Sequence, residues 1–183
     1  MKMQANNNKK HFTLIDILAV ITVLFSIGYV VAYYGSLPEE IPTHFHATGE
    51  PNSWGGKQLL IGLLILHIFV FKMMFFMNLF IRKSDQALKF LNIPTVNPKK
   101  LSDDQKVVVQ RLSSQMMSII NLIVAILFFT IIYGMIHVGL GKQDGLGATT
   151  LICTIILIII PIIYMFKIIK AAKVEQQSDK HMS

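Results

Sequence analysis

The chain has 183 residues, of which 53% are hydrophobic and only 15% are charged, whereas a soluble domain normally carries about a quarter charged residues. Its apolar residues are collected in long blocks, which excludes a soluble bundle of amphipathic helices. The formal net charge is +7, but all but one of the basic residues lie in the segments outside these blocks, so the charge does not indicate nucleic-acid binding.

Four apolar runs, at 12–34, 59–81, 115–138 and 148–166, approach or exceed the roughly 20 residues that cross a bilayer core. Backbone N–H and C=O groups within the hydrocarbon core of a bilayer must form hydrogen bonds with one another, so each run is predicted to be a transmembrane helix. The first run is too long for a signal peptide. The predicted fold class is an all-α polytopic membrane protein, with an ordered extracytoplasmic loop between helices 1 and 2.

The basic residues indicate the orientation of these helices. Three lysines precede the first run, seven basic residues lie between the second and third, and four follow the last run. The opposite side has only Lys57 and Lys142. By the positive-inside rule, both termini are predicted to be cytoplasmic, and the basic side is expected to contact anionic membrane lipids.

The chain is expected to divide into five segments. These are a cytoplasmic N-terminus at 1–11, a helix hairpin at 12–81 with its outer loop at 35–58, a cytoplasmic loop and the start of helix 3 at 82–114, a second helix hairpin at 115–169, and a cytoplasmic tail at 170–183. Ser102 and Gln105 have the spacing of a capping box. This spacing predicts that helix 3 begins near Asp103 and runs without a break into the membrane.

The outer loop at 35–58 is the longest segment on its side. Pro38, Pro42 and Pro51 stiffen it, and Trp54 lies where an aromatic belt is expected at the membrane interface. A loop of this length without regular structure is often functional.

This loop contains a recognisable pattern: Leu37-Pro38-Glu39-Glu40-Ile41-Pro42-Thr43-His44-Phe45, then Gly49-Glu50-Pro51, Trp54 and Lys57. It resembles the bacterial domain-of-unknown-function family 1648, over about residues 18–67. His46 departs from the family pattern, which more often has Asn or another small polar residue there. Some proteins with this domain are membrane immunity proteins of Sdp-type toxin operons, and these proteins have a second membrane region. The third and fourth helices of this chain do not match that region.

The resemblance implies a function. The domain occurs in membrane immunity proteins of Sdp-type toxin operons, which protect a producing cell from its own secreted toxin. It therefore implies a protein of the bacterial cytoplasmic membrane that confers toxin resistance, with a secreted peptide toxin or a partner membrane protein as its ligand. The residues that would bind this ligand or structure the loop are Pro42, His44, Phe45, Gly49, Glu50, Trp54 and Lys57.

His44 and His46 are weak candidates for a metal site. Side chains alternate along an extended strand, so both imidazoles would share one face, near Glu39, Glu40 or Glu50. A His-x-His pair is by itself a weak indicator, and no metal or cofactor is predicted. The favoured interpretation is that His44 hydrogen-bonds within the loop and fixes its shape.

Asp16, Lys72, Asn78 and Asn121 form a predicted intramembrane polar cluster. Ionisable side chains in a bilayer usually face the bundle interior and pair. The favoured interpretation pairs Asp16 with Lys72, with the two asparagines forming hydrogen bonds between helices. The alternative is a small transporter or channel subunit that conducts ions or protons through this cluster.

Two further histidines, His67 and His137, are expected to pack within the outer half of the helices and to bond to backbone carbonyls. No catalytic motif is present: the sequence lacks a His-Glu-x-x-His zinc motif, a Gly-x-Ser-x-Gly elbow and a Walker loop. The chain is therefore expected not to be an enzyme.

Overall fold

The structure is a computed structural model that describes residues 13–84, 86–90, 93–94 and 96–178. Within these ranges, four helices are long and apolar enough to cross a membrane. This confirms the four predicted spans of a multi-pass membrane protein. The predicted N-terminal segment 1–11 and the last residues of the tail lie outside the described residues. The four helices are α1 (Leu14–Tyr33), α2 (Gln58–Lys83), α4 (Asp103–Gly139) and α5 (Ala148–Ser178); the short α3 is Ala87–Phe90.

The segment between α1 and α2 forms a small antiparallel sheet. Strand β1 (Glu40–Phe45) pairs with β2 (Pro51–Gly56), with irregular register on both sides of His44. The predicted fold with an ordered loop is therefore mostly helical as expected, but it is not all-α, because this loop contains two strands. Proline is disfavoured within strands, yet Pro42 lies opposite Trp54 in this ladder.

Two capping boxes begin helices on the side of the membrane opposite the hairpin. At the start of α4, Gln105 N donates to Ser102 Oγ (3.2 Å) and Ser102 N donates to Gln105 Oε1 (2.9 Å). The predicted helix 3 corresponds to α4, and its predicted start near Asp103 is thereby confirmed. The helix is 37 residues long. A second capping box, which the sequence analysis missed, joins Thr13 and Asp16 at the start of α1.

The central helix is α4, which packs against α1, α2, α5 and strand β1. An apolar core lies where the hairpin meets the helices, and a second one lies at the opposite end between α4, α5 and the segment after α2. The remaining helix faces carry exposed Leu, Ile, Val, Phe and Met side chains, as expected of surfaces covered by lipid. The first core comprises Val30, Leu37, Ile41, Leu60, Ile132, Met135 and Ile136.

Candidate functional site

The hairpin formed by β1 and β2 is packed onto the end of α4. Ile41 and Pro42 are fully buried and Leu37 is 5% exposed, so one face of β1 belongs to the core. A Cβ added at Gly139 would lie 2.9 Å from Ile41 Cγ2. Glycine at this position thus allows β1 to approach the α4 backbone closely.

The tip of the hairpin is bound to the loop between α4 and α5. Gly49 has φ +92°, a conformation that favours glycine, and its carbonyl accepts a hydrogen bond from Leu146 N at 2.9 Å. A Cβ at Gly145 would collide with that same carbonyl. Both loops on this side are therefore joined by backbone contact, which fixes the hairpin in position.

Lys57 holds the base of the hairpin. Its Nζ donates to Glu39 Oε1 at 3.0 Å and to the Leu37 carbonyl at 3.4 Å, and it lies 5.6 Å from the centre of the Tyr34 ring. The Lys57 backbone N–H also donates to the Glu39 carbonyl at 2.9 Å. The family-pattern lysine thus connects the two ends of the outer segment.

Three further family-pattern residues are exposed on the hairpin. Trp54 is 52% exposed, Glu50 and His44 are exposed, and Phe45 is half-buried against the core beneath the hairpin. The chain therefore presents its single tryptophan on a rigid platform at the membrane boundary. We name Trp54, His44 and Glu50 the hairpin surface.

The expectations for the histidines of this segment are not met. His44 makes no side-chain hydrogen bond to any residue that the structure describes, because β1 directs it away from the core. His46 lies past the end of β1, with its Nδ1 3.5 Å from Asn52 Nδ2. Across the described ranges, no group of three or more His, Cys, Asp or Glu side chains could hold a metal ion.

A buried polar cluster lies near the opposite membrane boundary, and its cation is Arg82. Arg82 Nη2 lies 2.7 Å from Asp16 Oδ2, with side-chain exposures of 11% and 2%. Arg82 Nε donates to Ser114 Oγ at 2.7 Å, and Ser118 Oγ donates to Asp16 Oδ1 at 2.8 Å. We name Asp16, Asn78, Arg82, Ser114 and Ser118 the Asp16–Arg82 cluster.

The predicted pairing of Asp16 with Lys72 is wrong. Lys72 is exposed on the outer face of α2. Lys72 and Arg82 are ten residues apart, which places them about 15 Å apart along the axis and roughly 80° apart around it. The sequence analysis pairs the two charged residues that lie within the predicted spans and places Arg82 in the loop, but the direction around the helix decides the partner.

Asn78 and Asn121 have different surroundings. The amide of Asn78 lies 2.8 Å from the hydroxyl oxygens of both Ser114 and Ser118, and the orientation that satisfies its neighbours places its oxygen 3.0 Å from Arg82 Nη2. Asn121 is 3% exposed, and its Oδ1 has no hydrogen-bond partner within the described part of the chain. The predicted hydrogen bonding between helices is therefore observed for Asn78.

Sequence analysis missed Ser114 and Ser118. They are spaced i, i+4 on α4, so both face the same neighbours. The detectable signal was a polar stripe in an otherwise apolar helix, formed by Gln110, Ser114, Ser118 and Asn121. This stripe marks the face of α4 that α1 and α2 cover.

The histidines within the helices contact aromatic rings. His137 Nε2 lies 2.6 Å from Tyr29 Oη, and its ring is 4.1 Å from that of Tyr133. His67 is fully buried and stacks on Phe128 at 4.9 Å, and neither of its ring nitrogens has a hydrogen-bond partner among the described residues. Among the residues that the structure describes, neither histidine side chain forms the expected hydrogen bond to a backbone carbonyl.

The segment that contains the hairpin matches a known protein family. Residues 21–69 match the model of the family described as Domain of unknown function (DUF1648). The matched region contains most of α1, the entire hairpin and the first half of α2. No curated protein and no solved structure matches the chain.

Proposed function

We propose that this chain, with its DUF1648 segment at residues 21–69, is a non-enzymatic bacterial membrane protein that confers immunity to a membrane-active peptide. The peptide would be captured at the hairpin surface before it disrupts the bilayer. The observation that carries this proposal is the half-exposed Trp54 on a hairpin fixed at its tip, its base and its buried face.

A fixed hairpin favours binding for an energetic reason. Ordering a mobile loop opposes association, so a surface that is already ordered retains more of its contact energy. Tryptophan supplies a large contact area and is enriched among residues that dominate binding energy. At the membrane boundary, Trp54 is placed to contact an amphipathic peptide that approaches the lipid surface.

The Asp16–Arg82 cluster counts against the transporter alternative. Its carboxylate accepts hydrogen bonds from Thr13 and Ser118 and is paired with Arg82. A buried ion pair saturated with hydrogen bonds is costly to open, whereas conduction needs groups that exchange partners readily. The cluster therefore supports a structural role more than a conducting one.

The proposal is tested by exposing cells to the peptides secreted by their own parent strain. Cells lacking the gene should be killed by conditioned medium from the parent culture, and re-expression of the chain should restore growth. The Trp54→Ala variant should fail to restore growth, with a loss of at least about tenfold in protective potency, as expected for an anchor residue.

The matched control is Trp54→Phe, which retains an aromatic contact and should protect partially. Equal amounts of each variant in the membrane fraction, with unchanged apparent Tm, would separate lost recognition from lost folding. Normal growth of the deletion strain in parent medium would contradict the immunity role. Full protection by a correctly folded Trp54→Ala variant would contradict the hairpin surface as the binding site.

A further inference from the structure

Lys72 is a charged side chain on a helix face that is otherwise apolar. It lies near the middle of α2, which extends from Gln58 to Lys83, and it is exposed. Its neighbours on this face are Phe69, Met73 and Phe76, with exposures of 62%, 46% and 64%. A lysine in this position faces hydrocarbon, where an uncompensated ammonium group is costly.

Lipid headgroups are too distant to neutralise Lys72 at low cost. Lys72 is eleven residues from Lys83 and fourteen from Gln58, so the nearer end of α2 is about 16 Å away and the farther end about 21 Å. An extended lysine side chain covers only several ångströms of that distance. Most of the path to either boundary therefore remains hydrocarbon.

The chain itself supplies no carboxylate for Lys72 within its described spans. Acidic residues in those spans are Asp16, Asp103 and Asp104. Asp16 is paired with Arg82, and the other two begin α4, where Asp103 binds Lys106 at 2.8 Å. A second copy in the same orientation would bring another lysine to this depth and no free carboxylate.

We propose that the α2 face around Lys72 binds a transmembrane segment of a different protein, one that carries an Asp or Glu near the middle of the bilayer. The ion pair would form within hydrocarbon, and Phe69 and Phe76 would pack against the partner helix on either side of it. This interface is separate from the hairpin surface and does not depend on the proposed immunity function.

The test uses the purified full-length chain in phosphatidylcholine vesicles and a synthetic transmembrane peptide. The peptide is a leucine–alanine helix with one central Glu and a dansyl group at each end; a matched peptide has Gln at the same position. Energy transfer from Trp54, the single tryptophan of the chain, to dansyl reports association. Transfer should reach half-maximum at a peptide density roughly three- to tenfold lower for the Glu peptide.

Three variants identify the residue responsible. Lys72→Met should abolish the preference for the Glu peptide, whereas Lys72→Arg should retain it because the charge is kept. Lys83→Met is the matched control, since it removes a lysine from the end of the same helix, and it should also retain the preference. Unchanged circular dichroism of each variant in the vesicles would show that the helices are intact.

The proposal is overturned by any of three results. Equal binding of the Glu and Gln peptides would show that Lys72 does not select a carboxylate. A preference that survives Lys72→Met would place the selecting group elsewhere. A preference that disappears when part of the phosphatidylcholine is replaced by phosphatidylglycerol would assign Lys72 to lipid headgroups.

Discussion

Asp16 combines two roles at the start of α1. Its carboxylate accepts hydrogen bonds from the backbone N–H and the hydroxyl of Thr13, both at 2.9 Å, which caps the helix where its dipole favours negative charge. The same carboxylate binds Arg82 of α2 and Ser118 of α4. One residue therefore fixes the end of its own helix and joins three helices near one membrane boundary.

The Asp16–Arg82 cluster predicts a specific pattern of stability. Asp16→Asn retains an acceptor for the helix cap but removes the carboxylate that neutralises the largely buried Arg82, so the free energy of unfolding should fall by on the order of 3 kcal/mol. Arg82→Met should cost a similar amount for the opposite reason. The double variant should recover part of the loss, because it leaves neither charge unpaired.

The apparent Tm of thermal unfolding in detergent compares the stability of the wild-type protein, the two single variants and the double variant. Lys83→Met serves as the control, because an exposed side chain at the end of α2 should change stability by no more than about 0.5 kcal/mol. Strictly additive losses from Asp16→Asn and Arg82→Met would indicate that the two residues do not interact.

At the scale of elements, the hairpin depends on the loop between α4 and α5 as well as on its own two strands. A two-stranded hairpin is marginal in isolation. Here β1 is buried against α4, and Gly49 at the tip accepts a hydrogen bond from Leu146. The loop between α4 and α5 thus stabilises the hairpin that carries the family pattern. This loop lies outside residues 21–69, which match the family model.

Gly145→Ala should separate the hairpin tip from the second loop. The added methyl group would meet the Gly49 carbonyl, so the bond from Leu146 N–H should weaken and its amide should lose about 1–2 kcal/mol of protection against hydrogen exchange. Mass spectrometry of the peptide that contains Leu146 measures this change, while the helices should keep their protection.

Gly35→Ala is the matched control for this variant. A Cβ at Gly35 meets nothing within 4 Å, so the same chemical change on the same side of the membrane should leave exchange at Leu146 unaltered. Equal protection of Leu146 in wild-type protein and Gly145→Ala would show that the two loops are not held together by this contact.

At the scale of the whole molecule, α4 organises the bundle. It alone packs against the three other long helices and β1 among the elements that the structure describes, and its small and polar residues face those neighbours. Close packing of small residues is the usual basis of helix association in lipid, where no hydrophobic force drives helices together. The exposed faces of α2 and α5 are left for lipid or for other membrane proteins.

The distribution of charge predicts the orientation of the molecule in the membrane. Fourteen basic residues lie on the side of the termini, against Lys57 and Lys142 on the hairpin side, so the hairpin should be outside the cell. Asn52→Cys on the hairpin should react with a membrane-impermeant maleimide in intact cells. Lys100→Cys, before α4, should react only after permeabilisation.

The native Cys153 is buried in α5, so the wild-type chain serves as the unlabelled background for this measurement. Labelling of Lys100→Cys in intact cells, with Asn52→Cys protected, would reverse the orientation and place the hairpin surface in the cytoplasm. The hairpin surface could then not contact a secreted peptide outside the cell, which would contradict the proposed immunity function.

Structural features that depend only on a short stretch of sequence could be predicted. The four spans follow from the length of their apolar runs, and the start of α4 follows from the capping box at Ser102 and Gln105, because both depend on neighbouring residues alone. The family pattern in the outer segment likewise needs no knowledge of the fold, and residues 21–69 match the family model.

The partners of polar side chains were decided only by the tertiary structure. Lys72 is the charged residue within the predicted second span, which suggests it as the partner of Asp16, but rotation of α2 about its axis brings Arg82 to the interior and leaves Lys72 outside. That rotation is set by how α2 packs on α1 and α4, and no local pattern encodes it. The hairpin was missed for the same reason, since β1, with which β2 pairs, is stabilised by burial against α4, which lies far along the chain.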